Sequence, residues 1–322
     1  MDGHSVKSVK SSIFVQPLDI LVLMGGPSTE REVSLVSGSA VADALASCGH
    51  TVRRADITPN DTSALDGQAP DVVFIALHGA FGEDGQVQRL CESRGLRYVG
   101  SPPRASELAM NKASAKDVYR SAGLNTPQSV LLERSYQSAA RTEQLAGLGL
   151  PCVLKPVDGG SSVDIVIAKD PLQRDAGVVK LLGKYDTVLA EQFIKGREFT
   201  VGVLGERALP IIEIRAKQAF YDYFAKYNDD STEYVFETGL DEATTARLQG
   251  ASLAAHRALG CLDMSRSDFL LDDQGEIWIL ETNTIPGFTS HSLLPKAAGK
   301  VGLSFARLCE DLVKMALDRT SC

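Results

Sequence analysis

Residues 265–292 read SRSDFLLDDQGEIWILETNTIPGFTSHS, and the expected fold turns on them. Two apolar runs flank the polar corner Asp272-Asp273-Gln274-Gly275. Glycine reaches positive φ without a Cβ penalty, so such a corner predicts a tight turn joining two antiparallel strands. Folding this ribbon back on itself brings its open ends together. Asp268 then meets Glu281 and Asn283, with Arg266 beside them. Oxygen donors without histidine or thiolate suit a hard cation such as Mg²⁺, which shares its shell with phosphate oxygens and water. A solvated surface hairpin is the plainer reading of any one of these acids. The polar run Glu281-Thr282-Asn283-Thr284, closing an apolar strand, favours the metal site.

The window resembles the metal-binding segment of the D-alanine–D-alanine ligases, a family of the ATP-grasp superfamily. In that family an Arg-x-Asp-Phe strand precedes Glu-x-Asn-x-x-Pro-Gly and a Ser-Leu-x-Pro tail. The matching residues are Arg266, Asp268, Phe269, Glu281, Asn283, Pro286, Gly287, Ser292, Leu293 and Pro295. The resemblance implies an α/β protein with an ATP-grasp fold, α+β in its ATP-binding half, preceded by an N-terminal open parallel-sheet domain. The expected organisation is a leader over 1–17, an α/β substrate domain over 18–103, a central ATP-grasp subdomain over 104–192 and a C-terminal one over 193–322. A mobile lid is expected at about 216–239.

Bulk properties are those of an ordinary soluble globular protein. Of the 322 residues 44% are hydrophobic and 23% charged, and 33 basic against 41 acidic residues give a formal charge of −8. That balance argues against a broad nucleic-acid-binding surface but leaves room for a local cationic pocket. Six scattered cysteines without a CxxC pair read as free thiols in a reducing compartment. No run approaches the roughly 20 apolar residues of a membrane span. The expectation is a cytoplasmic protein, with neither membrane nor nucleic acid as partner.

Upstream, residues 19–24 (DILVLM) run into Gly25-Gly26, and a helical pattern follows through Val33, Val36, Ala40, Val41 and Leu45. Strand, glycine turn and helix open an α/β unit whose ligands gather at the carboxyl edge of the sheet. A second strand over 72–77 ends in HGAFGEDG, which should open on the same edge. Alone, the Gly-Gly turn is weak and lacks the dinucleotide pattern, Glu30 fits a first-turn acid, and His78 is as readily structural. The strings GGPSTEREVSLVSG and HGAFGEDGQVQ are nevertheless similar to the first two motifs of the same family. By that resemblance Glu30 binds the ammonium of the first D-alanine, and His78 lies near its carboxylate.

In the middle of the chain, a strand over 151–156 carries Lys155 where burial should continue, so its charge needs a partner, and an ATP phosphate would be one. The small residues Gly159-Gly160-Ser161-Ser162 let backbone N–H groups approach an anion, although such a loop alone is more often a turn. No GxxxxGK[ST] string is present. Resemblance assigns Lys112 and Lys155 to ATP phosphates, Glu191 and Glu198 to the adenine amino group and ribose hydroxyls, Ile194 to an adenine backbone contact, and Ser161 to the substrate-covering loop. The aromatic and charged segment 217–237 reads either as a buried helical stripe or as a long ordered loop. It is similar to the family's lid, which adds Phe220 and Lys226 to the ATP contacts and sets Tyr227 against Ser161 and Glu30.

Together these imply two Mg²⁺ ions (Mn²⁺ as substitute) on Asp268, Glu281 and Asn283, with ATP as co-substrate. Arg266 and the Gly287 N–H form the oxyanion hole, and Ser292 holds the second substrate's carboxylate. The implied activity is D-alanyl-D-alanine formation for peptidoglycan synthesis by a homodimer. Rival readings are a D-alanine–D-lactate or D-alanine–D-serine ligase, or an inactive nucleotide-binding relative. Two residues depart from the family pattern: Asn111 replaces an Asp without changing shape, and Asp164 replaces a Gly. A carboxylate at 164 would face the triphosphate and weaken ATP binding unless it turns away or finds a cation.

Overall fold

A computed structural model describes residues 16–136, 138–160, 163–216, 232–289 and 291–319. Three sheets organise it. Strands β1 (Asp19–Met24), β2 (Thr51–Asp56), β3 (Val72–Ile75) and β4 (Tyr98–Val99) form the first, in the order β2-β1-β3-β4. All of its pairings are parallel, as expected of the N-terminal domain. Helices α1 (Arg31–Ser47) and α2 (Gln86–Ser93) are its crossovers. Gly25 and Gly26 follow β1 at φ of 81° and 80°, a region closed to most side chains, and carry the chain off the sheet edge toward α1.

Helix α1 buries only part of the face its apolar spacing suggests. Ser34, Ser37, Gly38, Val41, Ala42 and Leu45 point inward, whereas Val36 is 59% exposed. The two serines face inward because their hydroxyls satisfy loop backbone. Ser34 Oγ accepts from the Gly25 N–H at 2.9 Å and donates to the Ala76 carbonyl at 2.7 Å. Such bonds replace apolar contact at the sheet edge, where the strands end and backbone groups need partners.

The second sheet, β5-β8-β6-β7, is antiparallel and joins β5 (Ser129–Glu133), β6 (Cys152–Pro156), β7 (Val166–Ala168) and β8 (Thr187–Gln192). Helices α5 (Ser138–Ala146) and α6 (Pro171–Leu182) accompany it. The third sheet runs β12-β11-β9-β13-β14, from β9 (Gly196–Leu204), β11 (Ile212–Ala216), β12 (Thr232–Val235), β13 (Met264–Asp272) and β14 (Ile277–Asn283), and β10 (Arg207–Ala208) pairs with β9. The β13–β14 turn forms as read, with Gly275 at φ 80° and Asp272 Oδ1 accepting from the Gln274 and Glu276 N–H groups.

Helices α3 (Pro103–Met110) and α4 (Lys112–Ser121) contribute Ala109, Ala115 and Tyr119 to a core shared with Phe199, Phe269 and helix α7 (Glu242–Leu259). They therefore cover one face of the third sheet, and the compact central unit begins near β5. At the other end, α9 (Phe305–Asp318) returns to the first sheet, placing Leu312 and Val313 in the core that holds Ile20 and Phe74. The segment between β14 and α8 (Leu293–Lys300) is pinned there too, since the Phe288 ring lies 5.6 Å from Phe74 and 5.8 Å from Phe305. Among the described residues no helix is long and apolar enough to cross a membrane.

Replacing Ser34 by alanine should cost about 1–3 kcal/mol by orphaning buried backbone groups, whereas Val36→Ser should stay within about 0.5 kcal/mol. Chemical denaturation followed by circular dichroism tests this, and a costlier Val36→Ser would refute the helix face.

Candidate active site

The site is built on the β13–β14 register. Asp268 stands opposite Glu281 and Arg266 opposite Asn283. Cross-strand partners share a face, as do residues two apart, so all four lie on one side of the ribbon. The register shifts between Asp268 and Phe269, giving β14 an extra residue at Leu280. A bulge of this kind re-aims side chains. Here Leu280 and Glu281 both line a cleft of about 100 Å³, while Phe269 and Ile279 turn back into the core.

Both carboxylates meet cations. Asp268, 3% exposed, accepts from Thr200 Oγ1 at 2.6 Å and from Arg266 Nε and Nη2, each at 3.1 Å. Lys112 Nζ lies 3.5 Å from Glu281 Oε2 and also donates to the Gly159 carbonyl. Lys112 is fixed by its helix start, where Asn111 caps α4 by accepting from the Ser114 N–H at 3.0 Å. The Asn for Asp departure keeps that cap. The donor set fits Mg²⁺: opposed carboxylates plus an amide offer only hard oxygens. Among the described residues no cluster of three His, Cys, Asp or Glu forms a self-sufficient metal cage. A shell completed by phosphate and water matches that incompleteness.

The second wall comes from β6 and β8. Lys155 has its partner within the protein, because Glu191 Oε2 lies 2.9 Å from its Nζ. Glu191 is 2% exposed, and its other oxygen lies 3.0 Å from Lys116 Nζ, so this carboxylate is enclosed between two lysines. Burial alone would raise the Glu191 pKa, but Lys155 and Lys116 bring it below the ordinary range. Lys116 is fully buried and donates to Thr126 Oγ1 at 2.7 Å; burial pushes its pKa down to about 8 against the pull of Glu191. No sequence motif singles out Lys116. Glu198 lines the cleft, whereas Ile194, in the link after β8, lies outside that lining. Asp164 does turn away: its carboxylate bonds Lys184 and Tyr185.

Glu30, His78 and Arg266 gather at the carboxyl edge of the first sheet. The Glu30 carboxylate lies 3.0 Å from where a Gly79 Cβ would stand and 3.5 Å from that of Gly160, so both glycines leave room for it. His78 Nε2 meets Ser37 Oγ at 3.0 Å, and that hydroxyl also accepts from the Phe288 N–H at 3.4 Å. Burial lowers the His78 pKa, Glu30 opposes the shift and Arg266 adds to it, so the imidazole is neutral. Glu83, which sequence reading left without a role although its motif was in view, accepts from the Gly79 N–H at 2.8 Å. Desolvation and the neighbouring Glu30 charge push its carboxyl up to about 8. On the far side, a Cβ at Gly287 would stand 3.0 Å from Ser292 Oγ. Ser292 precedes α8 without capping it; its hydroxyl turns to Thr289, accepting from that N–H at 3.0 Å. Ser161, Phe220, Lys226 and Tyr227 lie outside the described residues.

Comparison with known proteins now bears on this geometry. Residues 118–314 match the family described as D-ala D-ala ligase C-terminus, and residues 56–101 match its N-terminus counterpart. A D-alanine–D-alanine ligase of Sphingopyxis alaskensis is 44% identical over 94% of this chain and 98% of its own length. The chain belongs to the D-alanine–D-alanine ligase family. A second ligase of that name, from Bordetella petrii, is 44% identical over 92% of this chain and 91% of its own. Among solved structures, a Bacillus anthracis D-alanine–D-alanine ligase complexed with ATP aligns at TM-score 0.81 and 32% identity, covering 93% of this chain and 97% of that one. A D-Ala:D-Ser ligase from Enterococcus faecalis aligns at 0.82 and 31%, covering 94% and 100%. The ATP-grasp fold with its N-terminal parallel sheet is therefore that of the ligase family, as its motifs implied.

The raised Glu83 carboxyl has a thermodynamic signature. A carboxyl whose folded pKa exceeds its unfolded value contributes most stability below the unfolded pKa and loses it as pH rises through the folded one. Stability should thus fall as pH climbs from about 4.5 toward 8, and Glu83→Gln should flatten that slope in denaturation curves taken across the range. An unaltered slope would mean Glu83 titrates normally.

Proposed function

We propose that this chain joins two D-alanine molecules at the expense of ATP, with the cleft taking the nucleotide and the Glu30–His78–Arg266 corner the first D-alanine. What carries the reading is the meeting of Asp268 and Glu281 with Lys112 and Lys155 on one cleft, within reach of the Glu30 corner. Lys112 and Lys155 hold phosphate oxygens, with Lys226 joining them from the lid. Glu198 takes the ribose, Ile194 and Phe220 border the adenine, and Glu191 contributes by holding Lys155 in place. Mg²⁺ on Asp268, Glu281 and Asn283, with Mn²⁺ as substitute, would draw negative charge off the phosphates.

Forming a peptide bond from a free carboxylate needs an acyl leaving group. Glu30 receives the ammonium of the first D-alanine, and a neutral His78 adds no charge to repel it. The first carboxylate attacks the γ-phosphorus, giving D-alanyl phosphate and ADP; the second amine then attacks the carbonyl and phosphate departs. Positioning and charge stabilisation dominate the phosphoryl step. Arg266 and the Gly287 N–H stabilise the tetrahedral oxyanion, and Ser292 binds the second carboxylate. Ser161 and Tyr227 steady the covering loop and exclude water from the acyl phosphate. As a peptidoglycan enzyme drawing on ATP it acts in the cytoplasm, as a homodimer.

The inactive-relative reading rested on Asp164, whose carboxylate is paired away from the cleft. A D-alanine–D-serine ligase shares the fold, so fold does not choose the second substrate; the higher identity to ligases named for D-alanine does favour it.

In a coupled ADP-release assay, D-alanine should drive turnover that vanishes on chelation and returns with Mg²⁺. Glu281→Gln should lower kcat by about two orders of magnitude or more. Ser292→Ala should raise the KM of the second D-alanine about 10- to 100-fold, as expected for one lost bond to a charged group. Depsipeptide formed from D-lactate in preference to dipeptide, or ATP binding without turnover, would overturn the assignment.

A further inference from the structure

Asp164 occupies a backbone position that seldom admits a side chain, with φ of 58°. Aspartate and asparagine tolerate that region better than most residues because their short polar side chains bond locally. Val163 and Ile165 line the cleft, but Asp164 between them does not. Its carboxylate instead reaches Lys184 Nζ at 3.0 and 3.1 Å and accepts from the Tyr185 hydroxyl at 2.8 Å. Both partners are fixed. Their backbone N–H groups donate to Leu181 at the end of α6, at 2.9 and 2.8 Å, and Tyr185 packs on the core of the central sheet.

Beyond Asp164 the connection continues toward the phosphate wall. The Val163 N–H donates to the Gly160 carbonyl at 3.3 Å, and the neighbouring Gly159 carbonyl accepts from Lys112 Nζ. Gly159 thus meets Lys112, and Gly160 meets the residue that precedes Asp164.

We propose that Asp164 is a positioning residue for nucleotide binding, its bonds to Lys184 and Tyr185 holding Gly159 and Gly160 against Lys112. This rests on the reading that ATP occupies the cleft, and it reverses the sign expected of a carboxylate beside a triphosphate. A turn held in its binding shape before the nucleotide arrives loses less freedom on association. Glycine at 164 would relax the backbone yet release the turn. Asparagine would keep the left-handed backbone but remove the charge that strengthens both bonds.

The test is calorimetric titration of the full chain with Mg²⁺–ATP in the absence of D-alanine, alongside steady-state kinetics. Asp164→Gly and Asp164→Asn should both weaken nucleotide binding about 5- to 20-fold, and Tyr185→Phe about threefold. Combining Tyr185→Phe with Asp164→Gly should add nothing to the Gly variant, since both remove the same contact. KM for ATP should rise in step while KM for D-alanine stays within about twofold, a split that general destabilisation does not produce. ATP binding as tight as or tighter than the unaltered chain in Asp164→Asn or Tyr185→Phe would overturn the proposal and leave charge repulsion as the account. Failure of the unaltered chain to bind ATP would instead overturn the cleft reading beneath it.

Discussion

Asp268 and Glu281 face one another across adjacent strands, and carboxylates so placed repel. Unit charges about 4 Å apart interact by roughly 4 kcal/mol at an effective dielectric near 20. The fold meets this with cations from elsewhere: Arg266 along the same strand and Lys112 from the start of α4. The remainder of the site follows from keeping those charges in place. Asn111 caps the helix that presents Lys112, and Tyr119 on that helix donates to Thr282 Oγ1 at 2.9 Å beneath the carboxylates. Thr282 also meets Ser267 across the strands at 2.9 Å, which fixes the register on the opposite face. A one-residue slip would send Asp268 and Glu281 to opposite sides of the sheet.

The same logic of compensated burial recurs in the second wall. Glu191 lies between Lys155 and Lys116 with almost no solvent, and removing any one of the three would strand charge in a low dielectric. Lys155 therefore stands at the cleft already oriented, with its ammonium on a fixed carboxylate. At the carboxyl edge of the first sheet, hydroxyls play the corresponding part. Ser37 joins His78 to the Phe288 backbone, linking the first sheet to the segment that carries Gly287.

What the sequence disclosed was local chemistry. The Asp272–Gly275 corner and the polar end of β14 identified the hairpin, and the register then followed, because turn and alternation together determine pairing. The motifs around Glu30 and His78 sat at the ends of strands, and parallel pairing brought those ends together. What stayed hidden depended on distant partners. The pairing of Lys155 and Lys116 with Glu191 joins residues from three separate elements. Helix α1 misled because its inward face carries serines that serve loop backbone, and apolar periodicity cannot register such a role. Asp164 looked like a liability because Lys184 and Tyr185 lie 20 residues or more further along the chain. Helices α3 and α4 precede the central strands in sequence yet pack on the third sheet, a contact between distant segments that local patterning does not show.

The claim on which the rest stands is that Asp268 and Glu281 share one cation at the nucleotide's phosphates. Anomalous diffraction from crystals grown with ADP and Mn²⁺ tests it most directly. The account predicts a manganese peak bridging a carboxylate oxygen of each residue, at about 2.0–2.3 Å, with Lys112 displaced toward phosphate. A peak that touches neither carboxylate, or nucleotide bound with Asp268 still held only by Arg266 and Thr200, would contradict it.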